Sequence, residues 1–230
     1  MSLRPIEQES IFADGKEIVK KEDNGLKIVA SYDGSYHDYM VFDVEIFNNS
    51  DSAIAISPKN FRAFPLDSQK QNLRTADGQS IFEYEGIEPA EEVEVVRNKM
   101  DYQERKLKRA KTVNTILFIG GLLTSISSQS SRGNSERFIR SVDIGQTMMN
   151  VSQVKRIADH QEFYSKMDRL EHEYRTWSSE GFRATTLAPH TSIRGGVFIE
   201  ANLQAKFVQI NYLTPTHNID FLFEQSFAKK

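Results

Sequence analysis

Cysteine is absent from the 230 residues. Its absence excludes a disulfide framework, a thiolate nucleophile and Cys-ligated zinc together. The compartment stays open, because domains of oxidising compartments also fold without disulfides. Charge of one sign is missing as well: 29 Lys and Arg stand against 32 Asp and Glu, a net charge of −3. No global field recruits nucleic acid, and no nucleic-acid partner is expected. There is also no long hydrophobic run. The most apolar stretch, residues 113–126 (VNTILFIGGLLTSI), has 14 residues, against the roughly 20 that a spanning helix needs. Glycine-rich phosphate loops, a Gly-x-Gly-x-x-Gly fingerprint and a Gly-x-Ser-x-Gly nucleophile elbow are all lacking. No catalytic residue, metal or cofactor is therefore expected, and the chain reads as a non-enzyme.

What is present divides by period. At this length a sizeable core can form without staples. The start, Met1-Ser2-Leu3, reads as vector-encoded and is set aside, with no basic or apolar leader pattern behind it. Met40, Phe42, Val44 and Ile46 alternate with Val41, Asp43, Glu45 and Phe47, as Leu26, Ile28, Ala30 and Tyr32 do among their neighbours. Asp33-Gly34-Ser35 supplies a turn signal between these two strands. Asn48-Asn49-Ser50 matches a glycosylation acceptor in form but reads as a turn. Period two returns at Ile193, Val197 and Ile199, at Val208, Ile210 and Tyr212, and at Ile219, Phe221 and Phe223. Seven to nine short strands without helical crossovers predict an antiparallel sandwich formed from residues 1–88 and 182–230.

Between these blocks residues 89–181 obey a helical period. Val93, Val96, Met100, Gln103, Leu107, Ala110, Asn114 and Leu117 step by three and four, and so do Phe163, Met167, Leu170, Tyr174 and Trp177. Pro89 suits a first helical turn, and Glu91, Glu92 and Glu94 complement the positive end of the dipole. The breaker-rich link SSQSSRGNS (127–135) separates helix one, from Pro89 to about Ser127, from helix two, from about Thr147 to Glu180, with Gly181 as the stop.

Charge lies in blocks along this insertion. Residues 83–96 hold six Glu and no base. Residues 97–111 hold seven bases (97, 99, 105, 106, 108, 109 and 111) against Asp101 and Glu104, so seven minus two leaves +5. A basic helix entering the apolar tip residues Leu117, Phe118, Ile119, Leu122 and Leu123 suits contact with a protein partner, a second copy or an anionic membrane surface. Burial of this tip against Phe138, Ile139, Val142, Ile144, Met148 and Met149, or within a dimer, is the simpler reading, and Gly120-Gly121 permits close helix approach. His160 and His172 are about 18 Å apart at helical rise, too far to share a metal. His172 with Asp168 supplies two ligands without a third and reads as a solvated face. The ring-rich set Tyr32, Tyr36, His37 and Tyr39 around the first hairpin turn offers an alternative, a carbohydrate or small-ligand site.

Several stretches resemble a known group. IFNNS (46–50), ISPKNFR (56–62), EPAEE (88–92), FRATTLAP (182–189) and GVF (196–198) are similar to segments of uncharacterised lipoproteins of Bacteroidetes. That resemblance implies an α+β chain: an antiparallel immunoglobulin-like β-sandwich with a long inserted antiparallel helical hairpin. It implies an upstream signal peptide and lipidated Cys, and a periplasmic or outer-membrane place, while composition alone leaves the cytoplasm open. It brings no activity, cofactor or catalytic residue. The function expected is an extracytoplasmic interaction module working through its helical hairpin.

Overall fold

The computed structural model describes the backbone of residues 1–13, 15–75, 77–79, 83–129 and 135–227, and side chains within those ranges except at 112–129, 135–154 and 156. The chain is mixed α+β with antiparallel sheets. In order it forms β1 (Ser2–Pro5), β2 (Ser10–Ala13), β3 (Lys16–Asp23), β4 (Leu26–Tyr36), β5 (Tyr39–Asn48), β6 (Ile54–Ile56), β7 (Phe61–Leu66) and β8 (Tyr84–Glu85). Two helices follow, α1 (Pro89–Gln129) and α2 (Ser135–Ser179), then β9 (Thr185–Leu187), β10 (Thr191–Glu200), β11 (Phe207–Leu213) and β12 (Asn218–Ser226). It divides into two compact units, Met1–Val93 with Thr176–Lys230, and Glu94–Arg175.

In the first unit one sheet has the order β1-β12-β11-β7-β8, a second has β10-β5-β4-β3-β2, and β6 pairs with β9 alone. Alternation along β5 turns Met40, Phe42, Val44 and Ile46 inward, all of them buried. Phe61, Ala63, Val208, Ile210, Tyr212, Ile219, Phe221 and Phe223 of the other sheet join the same core. The two layers meet at Phe42 and Phe223, whose ring centroids are 5.3 Å apart. Burying such a side chain is worth about 1.5–3 kcal/mol, so the row on β5 and its counterparts carry most of the cohesion. The C-terminal block pairs directly with the N-terminal one, β10 on β5 and β11 on β7.

Four local expectations are corrected. Residues 33–35 do not turn the chain: β4 runs on to Tyr36, and the reversal falls at His37-Asp38, with His37 at φ 50°. Gly34, at φ 124°, instead shifts the register between Tyr32 and itself, a β-bulge that only a residue without Cβ accommodates readily. Met1-Ser2-Leu3 belongs to the fold: β1 pairs with β12, and Leu3 is a core residue. Helix α2 begins at Ser135, twelve residues before Thr147, and spans Gly145 without a break. Finally, twelve strands form among the described residues; the additional ones are short or highly charged, and β3 buries only Val19.

Asn48 ends the inward row of β5 and is buried. Its Nδ2 donates to the carbonyls of Ser52 (2.8 Å), Leu187 (3.2 Å) and Ala188 (3.2 Å), and its Oδ1 accepts from the Ser50 amide and hydroxyl. A buried amide so fully engaged is a structural turn and not an accessible glycosylation acceptor.

The chain leaves and re-enters the sheets at adjoining points. The Ile87 amide donates to the Phe198 carbonyl (2.8 Å), the Phe182 amide to Gly196 (2.8 Å), and the Gly196 amide to Glu180 (2.8 Å). A Cβ on Gly181 would lie 2.3 Å from the Pro89 ring, so this junction needs glycine.

Candidate functional site

The helical unit is an antiparallel pair, because its cross-helix ion pairs run in opposite senses along the two chains: Lys99 with Glu173 (3.9 Å) and Lys106 with Glu162 (3.0 Å). The seam follows the stepping of the sequence. On α1, Val96 is buried and Met100, Gln103, Leu107 and Ala110 are half-buried among exposed neighbours; on α2, Leu170 is buried and Phe163, Met167 and Tyr174 are half-buried. A gap of about 20 Å³ between Leu107, Ala110 and Phe163 has room for about one water and no ligand.

Glu162 lies between two bases, Lys106 and Lys166 (2.6 Å), which donate to the same Oε1 and lower its carboxyl pKa to about 2. The carboxylate is exposed to solvent, with the side chain 49% accessible, so this triad orients the helix surfaces more than it stabilises them.

Outside the seam the helices leave large apolar groups uncovered. Ile157 and Tyr164 are 61% and 59% exposed and stand seven residues apart on one line of α2, with the His160 ring 6.1 Å from that of Tyr164. Tyr102 of α1 is 58% exposed. The side chains of the tip residues Leu117, Phe118, Ile119, Leu122 and Leu123 lie outside the described residues, as do those of Phe138, Ile139, Val142, Ile144, Met148 and Met149. Residues 117–123 themselves run within α1.

The four ring residues of the first hairpin do not share a surface. Tyr32 pairs across the strands with Phe42, packs edge-on against it (5.8 Å between centroids) and exchanges a hydrogen bond with Ser35 (2.9 Å) on the core side. The bulge at Gly34 sends Tyr36 to the opposite face, where it pairs with Tyr39. There both rings meet Trp177, at 5.8 and 5.7 Å, and Trp177 lies 4.5 Å from Phe198. Burial, followed by Glu92, Glu200 and Asp38, raises the Tyr39 phenol pKa. These rings form a wall for Trp177, while His37 stays exposed at the turn. A signal for this wall was present in Trp177, the single Trp of the sequence, which closes the helical stepping.

Among the described residues no group of three or more His, Asp and Glu is placed to hold a metal ion. Among the same residues no helix is long and apolar enough to cross a membrane. No family model, curated protein or solved structure matches the chain.

Proposed function

We propose that the chain is a non-enzymatic interaction module whose helical hairpin docks on a protein partner or a second copy, carried by an immunoglobulin-like sandwich. The observation that carries this reading is the exposure of Ile157, Tyr164 and Tyr102 on a helix pair whose covered stripe lies elsewhere. Large apolar groups aligned on an ordered helix face are uncommon unless something covers them. The sequence adds support: Leu117, Phe118, Ile119, Leu122 and Leu123 set five large apolar residues within residues 117–123.

The lipoprotein resemblance supports an extracytoplasmic setting and a lipid anchor, and the +5 block at residues 97–111 is suited to an anionic surface beside such an anchor. The carbohydrate reading of the Tyr-rich turn loses ground because its rings divide between two faces. The test is Ile157→Ser with Tyr164→Ser, followed by light scattering and by crosslinking in cells. The variant is expected to keep its helical circular dichroism and lose its higher-mass species or crosslinks; unchanged assembly and unchanged crosslinks would contradict the reading.

A further inference from the structure

One flank of the helical pair carries a row of charges that complements itself when reversed. Counting about 100° per residue from the seam, Lys99, Lys106, Glu162 and Glu173, which form the cross-helix ion pairs, lie on one flank. Asp101, Glu104, Lys108 and Lys111 of α1 lie on the other, together with Ile157 and Tyr164 of α2, and all of these are exposed.

The row on α1 reads acid, acid, base, base, at steps of three, four and three, so its centre is residue 106. Turned end for end about that centre, a second copy sets its Lys111 over Asp101 and its Lys108 over Glu104, and the reverse by symmetry. A parallel copy would set every charge over its like. Tyr164 stands level with the same centre, because Lys106 reaches Glu162 and Lys99 reaches Glu173. An axis through Tyr164 also brings Asp168 over His160 and the stem of Glu171 over Ile157, which lie four and seven residues to either side of it.

We infer that a second copy of the chain covers this flank, packed antiparallel about a two-fold axis through Tyr164 so that two helical pairs form a four-helix bundle. The inference rests on the hairpin reading above and names its partner. Exposed ion pairs contribute little each, so covering Ile157 and Tyr164 supplies the affinity while the charge row selects the antiparallel arrangement.

The full chain is followed by sedimentation velocity from micromolar to submillimolar concentration, with helical circular dichroism checked for every variant. The parent is expected to pass from monomer to dimer. Lys108→Glu with Lys111→Glu should weaken that step at least about tenfold, because acids then oppose acids. Asp101→Lys with Glu104→Lys takes its place if the helical signal is lost. Exchanging all four charges at once (Asp101→Lys, Glu104→Lys, Lys108→Glu and Lys111→Glu) should restore the dimer yet prevent mixing with fluorescently labelled parent, since the reversed row meets the parent row like charge on like. A parent that is monomeric throughout, a dimer indifferent to the double variants, or free mixing of the exchanged variant with the parent would overturn the inference. If the parent is monomeric and Ile157→Ser with Tyr164→Ser still abolishes crosslinks to another protein, the hairpin reading survives without it; if those crosslinks are unchanged, both fail.

Discussion

Arg194 on β10 reaches diagonally across to Asp43 on β5, with Nε 2.9 Å and Nη2 2.5 Å from its two carboxylate oxygens. The fork-shaped bond to Arg194 is the largest influence on Asp43 and lowers its carboxyl pKa below the ordinary value, against a smaller opposing effect of burial. The sign follows from linkage: a carboxyl that is more acidic when folded stabilises fully above its unfolded pKa, and that stabilisation disappears as pH falls through the folded value. Arg194 is 66% exposed, so solvent screening limits the contribution to about 1 kcal/mol or less. Asp43→Asn should therefore lower urea stability by up to that amount at pH 7 and bring the variant and parent curves together below the folded pKa. A stability gap that persists unchanged into strong acid would refute this assignment. The inward row containing Phe42 and Val44 was legible because alternation is a local property of the chain. The separation of Tyr32 from Tyr36 was not, since one bulge at Gly34 inverts every later face and strict alternation contains no mark of it.

At the scale of elements, α2 ends in a side chain that belongs to the sheets. Trp177 is buried against Tyr36, Tyr39 and Phe198 on the face of the second sheet away from the core. Trp177→Ala should cost about 3–5 kcal/mol in chemical denaturation, with Trp177→Phe recovering much of it through the retained ring contacts. Because this is the sole tryptophan, its fluorescence reports the junction directly: blue-shifted emission is expected in the native chain, and water-like emission with cooperative unfolding intact would contradict the packing. The seam of α1 and α2 could be read in advance because steps of three and four identify it without reference to the rest of the fold. The start of α2 could not. Gly145 and the β-branched Ile139, Val142 and Ile144 lower local helix preference by a few tenths to about 1 kcal/mol each, yet α2 begins at Ser135 and continues through them, so context outweighed propensity. The edge strands β1, β2 and β8 were equally hidden, being two to four residues long and defined by what they pair with.

For the whole molecule, the central claim is that the helical insertion exists to be covered by something outside its own pair. Seen as sequence, the claim was legible as an apolar segment set among charges; the exposed line of Ile157 and Tyr164 was not, because both fall just off the stepping that marks the seam. Phe118→Asp with Leu122→Asp tests the claim most directly, with circular dichroism, light scattering and liposome flotation read on the same preparation of the full chain. The account predicts a folded double variant with the parent's melting behaviour that has lost self-association, partner capture or liposome binding shown by the parent. Early melting or misfolding would place these residues in an internal core and contradict the account, as would a variant identical to the parent in stability, association and membrane binding.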